Sequence, residues 1–177
     1  MGSEMCIRDR FAAAVLAVAF SASLPAQGTD ETSASFHDEP KAELAVELIK
    51  KYEGLHDSPD YYPYYGYGHC RLEGEELSYD MTEAEAEKLL RKDLTERYRL
   101  FRKYKKDALL LTVLSYNVGY GALLGYGKRP KSRLLKKLEA GDRDIYAEYI
   151  SYCHYKGRKI RSIERRRKME YLLLYEP

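Results

Sequence analysis

The chain of 177 residues is 45% hydrophobic and 33% charged, which is enough apolar material for one compact core and too little length for two ordinary domains. Its 12 Gly, 6 Pro and mean hydropathy of -0.58 exclude collagen-like, low-complexity and charge-driven disordered chains. The longest apolar run, residues 11–22, is too short to span a bilayer, which excludes a polytopic membrane protein.

The net charge of +2 is unevenly distributed along the chain. Residues 41–127 carry 13 basic and 15 acidic side chains, whereas residues 128–177 carry 15 basic and 7 acidic ones, a net charge of +8. A cationic surface of this kind attracts polyanions, which include nucleic acids, anionic lipids and the acidic polymers of bacterial walls. The sign of the charge does not choose among them.

The N-terminal segment resembles a secretory signal peptide, because Arg8 and Arg10 precede the apolar run and small residues around Ala26 follow it. The alternative, a short buried helix, is disfavoured by the polar stretch that comes next. We therefore expect a signal peptide over residues 1–26, a polar linker over 27–40 and one domain over 41–177, exported to the periplasm or the medium. The string MCIRDR near the start resembles translated sequencing-adapter DNA, so we expect the native start to differ.

Signal cleavage would leave Cys70 and Cys153 as the only thiols. An exported chain permits a disulfide between them, while their tyrosine-rich flanks suit buried free thiols as well, so both alternatives stay open. The pairs His69-Cys70 and Cys153-His154 lack the gap of about two to four residues that lets two side chains face one zinc ion. We expect no metal and no cofactor.

The first elements of the domain are predicted to be a helix and a hairpin. An amphipathic helix from about residue 40 to Gly54 puts Leu44, Leu48 and Ile49 on one face. The segment YYPYYGYGH that ends at His69 combines aromatic residues with Gly and Pro, which favours a small antiparallel sheet extending to about residue 79.

The rest of the domain is predicted to be helical. A capping-box pattern, Thr82 followed by Glu85, predicts a helix over residues 83–101. The segment DALLLTVLSYNV is apolar nearly all round, which is typical of a buried central helix. A loop and three amphipathic helices should follow, over residues 121–130, 131–139, 142–153 and 160–175. The expected fold class is α+β, mostly helical with a small N-terminal β-hairpin sheet.

Glu53 closes the first predicted helix, just before the aromatic hairpin. A carboxylate there lies at the negative end of the helix dipole and beside aromatic rings, and both conditions oppose ionisation. A carboxylic acid that keeps its proton near neutral pH can protonate the leaving oxygen when a glycosidic bond breaks. The alternative is a solvated helix-end residue, which composition alone favours.

Six segments form an ordered set of landmarks: the helix ending in Glu53-Gly54, then GYGH, MTEAEAEKLLRKDL, ALLLTVLSYNVG, KSRLLKKLEAGD and IERRRKMEYLLL. Together they resemble the phage-type lysozymes, the endolysin muramidases of glycoside hydrolase family 24, over residues 44–175. The resemblance implies a lysozyme-like α+β fold. It also implies cleavage of the bond between N-acetylmuramic acid and N-acetylglucosamine in peptidoglycan, for local opening or lysis of the bacterial cell wall.

By this resemblance Glu53 matches the family's catalytic acid. The family carries an Asp or Cys in the loop after this Glu and a Thr two residues before the GxGH turn, but here Tyr64 stands at the Thr position and the loop is about four residues shorter. The second carboxylate is then Asp60, Asp57 or absent, and Asp60 is preferred because it lies closer to the hairpin. Tyr64 either hydrogen-bonds the attacking water or packs on the sheet.

These differences from the family pattern leave three alternatives for the activity of the protein. An inverting hydrolase needs a base about 6.5–9.5 Å from the acid, with a water between them. If no second carboxylate reaches that place, Glu53 works alone and the muramyl 6-hydroxyl attacks, which is lytic transglycosylation. The third alternative is an inactive wall-binding scaffold, which the altered position at Tyr64 keeps open.

The resemblance also implies substrate contacts. Tyr116 and Asn117 match the end of the family's central helix, where an aromatic ring and an amide border the sugar cleft. Ser132 matches a polar substrate contact, although it suits a helix N-cap equally well.

Four further residues are expected to support the fold and the cleft. His69 is expected to be a structural histidine, buried against a carboxylate. Of Arg165, Arg166 and Arg167, one is expected to pair across to the cleft, while the others lie on a solvated basic face.

A nucleic-acid-binding protein is the competing functional class, indicated by the basic C-terminal third. The predicted export and the lack of a nucleic-acid motif speak against it. We expect peptidoglycan as the partner, no nucleic acid, no stable membrane anchor after signal cleavage, and a monomer.

Overall fold

The computed structural model describes residues 35–177, so the predicted signal peptide and most of the predicted linker lie outside the described residues. This part of the chain is mostly helical (59%) with small antiparallel sheets, which confirms the α+β fold class. The helices are α1 (Ala42–Glu53), α2 (Glu83–Phe101), α3 (Ala108–Val118), α4 (Tyr120–Leu124), α5 (Arg133–Glu139), α6 (Tyr146–Ile150) and α7 (Arg161–Leu174). No helix within it is long and apolar enough to cross a membrane.

The strands form two hairpins. Strand β1 (Tyr64–Tyr65) pairs with β2 (His69–Cys70), and β3 (His154–Tyr155) pairs with β4 (Arg158–Lys159), both antiparallel. Short 3-10 turns lie at Phe36–Asp38, Pro59–Tyr61 and Arg102–Asp107.

Helix α3 is the centre of the core. Every residue from Ala108 to Asn117 is buried. Because this helix is apolar on all sides, it needs neighbours on all sides, and α1, α2, α4 and α7 pack around it. The prediction of a buried central helix is confirmed.

Local signals set the ends of α1 and α2. Thr82 Oγ1 accepts a hydrogen bond from the Glu85 main-chain N–H at 3.3 Å, and Glu85 Oε2 accepts one from the Thr82 N–H at 2.7 Å. Helix α2 therefore has the predicted bounds. Helix α1 ends where Gly54 takes a positive φ of 71°, as predicted from the glycine.

The predictions for short elements are partly wrong. Residues 121–130 were expected to be a loop, but α4 occupies the first part of that stretch. Residues 142–153 contain a helix of only five residues, and the hairpin β3–β4 follows where no strand was expected. Elements this short carry no measurable hydrophobic period, so packing against the rest of the chain decides them. Leu44, expected on the buried face of α1, is 36% exposed.

The hairpin β1–β2 is fixed against both α1 and α2. The His56 main-chain N–H donates to the Gly66 carbonyl at 2.7 Å, which ties the chain leaving α1 to the hairpin. Gly66 has a φ of +55°, and a Cβ there would lie 3.1 Å from the Cβ of Ala86 and 3.3 Å from the Sδ of Met81. A glycine is therefore needed for the hairpin to approach α2 this closely.

Candidate active site

Glu53 lies where α1, α3 and α7 meet. Its side chain is 1% exposed. Oε1 accepts a hydrogen bond from Arg166 Nη1 at 2.9 Å and another from Asn117 Nδ2 at 3.4 Å. The carboxyl group is thus held in one orientation by residues from two other helices.

These contacts belong to a closed ring of hydrogen bonds. Arg166 Nε donates to Glu170 Oε1 at 2.8 Å, and Arg167 donates to both Glu170 and Asn117. Asn117 completes the ring by donating to Glu53. The ring brings two carboxyl groups and two guanidinium groups into contact, and buried charged groups are tolerated only where they have such partners.

The ring places the charge of Arg166 beside Glu53. Burial opposes the charge of Arg166, but Glu53 and Glu170 outweigh it and raise the pKa of the guanidinium. The attraction between Arg166 and Glu53 adds an influence on the Glu53 carboxyl group that the sequence-based expectation, which rested on the helix dipole and aromatic neighbours, did not include. Because Glu170 shares the charge of Arg166, it weakens that attraction and makes the proton on Glu53 easier to keep.

Some polar atoms of the ring lack a protein partner. Nη2 of Arg166 and Nε of Arg167 are buried and make no hydrogen bond within the described residues. Tyr149 donates to Glu170 Oε2 at 2.9 Å, and its burial, together with the charge of Glu170, raises the pKa of the phenol well above its usual value. Since unsatisfied buried donors cost stability, the ring is not optimised for stability alone.

The three consecutive arginines have three different environments. Arg166 pairs with Glu53, the carboxyl group proposed from the sequence as the catalytic acid. Arg165 is exposed, as expected. The placement of Arg167 on a solvated face is wrong, because its side chain is fully buried against Glu170. Glu170 was not among the residues predicted from the sequence, although its spacing of three and four residues from two arginines on one helix is a signal for such a contact.

The other two catalytic candidates lie in the loop after α1 and in β1. Tyr64 is half-buried in β1, with its ring edge-on to that of His56 at 6.2 Å between centroids. Asp57 and Asp60 are both exposed, and the Asp60 N–H donates to Ser58 Oγ at 3.3 Å in the 3-10 turn. The role of Asp60 as the second carboxylate stays a prediction.

The predicted substrate contacts fall in three different places. Asn117 is buried in the ring beside Glu53. Tyr116 is fully buried and donates to the Tyr67 carbonyl at 3.0 Å, so its ring supports the hairpin from inside and offers no surface to a sugar in this conformation. Ser132 Oγ accepts from the Leu135 N–H at 3.2 Å, which is the N-cap alternative.

His69 joins the hairpin to α2. Its Nδ1 lies 2.9 Å from both oxygens of Asp93, and its Nε2 lies 2.8 Å from Glu75 Oε2. Burial would lower the pKa of the imidazole, but the two carboxylates outweigh it and raise that pKa above 6.5. The prediction of a structural histidine buried against a carboxylate is confirmed.

This arrangement predicts a pH-dependent stability. A raised folded-state pKa stabilises the protein fully below the unfolded value of about 6.5, and the contribution disappears as pH rises through the folded value. We expect the free energy of unfolding, measured with urea across pH 5–9, to fall over this window. His69→Gln should flatten the curve, whereas the exposed His154→Gln should leave it unchanged. Equal curves for all three proteins would contradict the role of His69.

The sequence also raised the questions of a disulfide and of a metal site. Cys70 is exposed and Cys153 is buried, and both are free thiols. The described residues contain no group of three or more His, Cys, Asp and Glu side chains placed to hold a metal ion.

The central buried helix, the hairpin and the carboxylic acid at the end of α1 define a lysozyme-like α+β protein. The sequence model of the phage lysozyme family matches residues 50–170, which is more than half of the chain and includes Glu53, the GYGH turn and Arg166. The chain therefore belongs to the phage lysozyme family, as the six landmarks indicated. It is a peptidoglycan-lytic enzyme whose substrate is the bacterial cell wall. A comparison with curated proteins finds no match.

Proposed function

We propose that this enzyme cleaves the bond between N-acetylmuramic acid and N-acetylglucosamine by hydrolysis, with Glu53 as the general acid. The observation that carries the proposal is the position of its carboxyl group, buried at the junction of three helices and oriented through Oε1 by Arg166 and Asn117. A fixed acid in a shielded site needs little reorganisation when the proton moves.

The ring supports the proposal that Glu53 donates a proton. When Glu53 donates its proton to the leaving oxygen it becomes a carboxylate, and Arg166 and Asn117 already point at that charge. In this proposal Glu170, which accepts a hydrogen bond from Arg166, reduces the attraction of Arg166 for the Glu53 carboxylate. Because the Glu53 side chain is 1% exposed, the groups that cover it must shift to admit the glycosidic oxygen.

The products distinguish the alternatives. Hydrolysis adds a water and leaves a reducing end, whereas attack by the muramyl 6-hydroxyl leaves a 1,6-anhydro end that is lighter by one water. We expect mass spectrometry of digested sacculi to show reducing ends. Anhydro ends alone would support lytic transglycosylation by Glu53. Intact glycan strands would support the inactive wall-binding scaffold and contradict the proposed function.

Hydrolysis implies a base for the attacking water, and we propose Asp60 in that role with Tyr64 beside the water. Asp60→Asn should lower the rate of sacculus cleavage by about tenfold, or about 1.4 kcal/mol. Asp57→Asn, which changes an equally exposed carboxylate three residues earlier, should change the rate by less than about twofold. Equal and small losses would contradict the role of Asp60 and support a mechanism with one carboxylate.

We propose that the chain is exported and acts on the wall as a monomer, for local opening or lysis. The basic C-terminal third would draw it to anionic wall polymers. In that case Lys136→Glu should slow cleavage of sacculi about two- to threefold at low salt and flatten its salt dependence, while cleavage of short soluble oligosaccharides stays unchanged.

The choice of Lys136 follows from its surroundings. It is exposed on α5, whereas Lys168 pairs with Glu164 at 3.0 Å, so reversing Lys168 would also break an ion pair. Lys88→Glu, at an exposed position in the acidic half of the domain, changes the net charge by the same amount and is the control. Identical salt profiles for wild type and both variants would exclude steering.

A further inference from the structure

We propose that the outward face of Tyr61 is a sugar-stacking surface that holds a glycan strand next to Glu53. The proposal rests on the proposed function, because it names a substrate contact of the same site. Composition could not single out this tyrosine, since the chain contains 18 of them. Burial and ring geometry separate it from the others.

His56 forms the support for this surface. It follows Glu53 by three residues, and its main-chain N–H donates a hydrogen bond to the Gly66 carbonyl. The end of α1 and the hairpin therefore both fix its position. The residue is 6% exposed. Its ring is therefore a fixed plane close in sequence and space to the end of the helix that carries the acid.

Tyr61 lies flat on that plane. The rings of Tyr61 and His56 are stacked, with centroids 4.5 Å apart and an angle of 6° between their planes. The 3-10 turn holds the backbone, because the Tyr61 N–H donates to the Ser58 carbonyl at 3.0 Å. One face of the phenol is covered by the imidazole, yet Tyr61 is 43% exposed, so the residue keeps a large solvent-exposed area on the sides away from His56.

Other stacked rings in the described residues do not offer such a face. Tyr65 stacks on Tyr79 but is 6% exposed, and the stacked pair of Tyr171 and Tyr175 is half-buried against the core. Among these stacked tyrosines, only Tyr61 has one face covered by another ring and is also an exposed residue.

The chemistry of this surface fits a pyranose ring. One face of a sugar ring presents C–H groups, which pack against a flat aromatic face, while the hydroxyl and N-acetyl groups stay in water at the rim. A ring that is already held in place loses little conformational entropy on binding. The surface therefore suits an N-acetylated sugar of the glycan strand.

The absence of Trp from the chain makes a direct test possible. Tyr61→Trp, combined with Glu53→Gln to prevent cleavage, places a single fluorescent indole on the proposed surface. We expect a soluble tetrasaccharide of alternating N-acetylglucosamine and N-acetylmuramic acid to shift its emission and protect it from iodide quenching. Tyr146→Trp in the same background is the matched control, because Tyr146 is 46% exposed on α6, and its emission should not respond. Titration calorimetry measures binding of the same tetrasaccharide independently.

A second measurement uses the active enzyme on sacculi. Tyr61→Ala should raise KM about fivefold or more and change kcat by less than about twofold, since it removes binding area and leaves the acid in place. Tyr61→Phe keeps the ring and should behave like wild type. A kcat loss with unchanged KM would indicate a structural role and overturn the proposal.

The outcomes separate this inference from the proposed function. Calorimetric binding without a response from the indole at position 61, or an unchanged KM for Tyr61→Ala, overturns the stacking surface and leaves the proposed cleavage intact. If the tetrasaccharide does not bind, the KM of Tyr61→Ala on sacculi decides whether the stacking surface exists. A raised KM supports the surface, and an unchanged KM overturns it. If wild type leaves sacculi uncut and the tetrasaccharide unbound, both proposals fail together.

Discussion

Glu53→Gln should lower the rate of sacculus cleavage by about 100-fold or more, equivalent to at least about 2.7 kcal/mol in the barrier. The amide has nearly the shape of the acid and still accepts the hydrogen bond that Arg166 donates to Oε1. It cannot supply a proton to the leaving oxygen. Release of soluble muropeptides from purified sacculi, followed by mass spectrometry, measures the loss.

The control for this change lies on the same helix. Glu47→Gln alters a carboxyl group that is 64% exposed, and its rate should stay within about twofold of wild type. Circular dichroism and thermal unfolding of both variants show that the fold is kept. Activity of Glu53→Gln within about tenfold of wild type would rule out Glu53 as the acid.

Glu170→Ala should lower the free energy of unfolding by about 3–5 kcal/mol, because it leaves the buried guanidinium groups of Arg166 and Arg167 without their shared carboxylate. Tyr149 also loses the acceptor of its buried hydroxyl. Urea unfolding at neutral pH measures the change. Glu170→Gln keeps one acceptor and should lose less.

Glu164→Ala is the matched control for this prediction. Glu164 is an acid on the same helix, and its partners Lys159 and Lys168 are more than half exposed. Pairs of this kind contribute about 0–1 kcal/mol, so the unfolding free energy should change little. Equal losses at the two positions would contradict the view that the buried ring depends on Glu170.

Glu170 should also affect the pH dependence of cleavage. Glu170→Gln removes a negative charge next to Arg166, so the positive field on Glu53 increases and Glu53 gives up its proton at lower pH. The alkaline limb of the activity profile should therefore move to lower pH. This shift is a readout that loss of stability alone does not produce.

The features predictable from the sequence are those that depend on near neighbours in the chain. The capping box of Thr82 and Glu85 set the start of α2, and Gly54 set the end of α1, because each signal acts within one helical turn. The uninterrupted apolar pattern identified α3 as the central helix for a similar reason. Glu53 could be placed at a helix end before a hairpin, but not in any particular electrostatic environment.

The tertiary structure alone decided that environment. Arg166 and Glu53 are 113 residues apart in sequence, and no local pattern shows which of three consecutive arginines faces the acid. The packing of α7 against the core buries Arg166 and Arg167 and leaves Arg165 exposed to solvent. The exposure of Tyr61 and the burial of Tyr116 were likewise undetermined, because stacking on a sugar and packing in a core use the same residue type. Sequence by itself determined the family, the principal helices and the acid candidate, since these rest on local order along the chain. Contacts between distant segments decided which charges surround the acid and which aromatic rings stay exposed. These contacts exist only once the helices have packed.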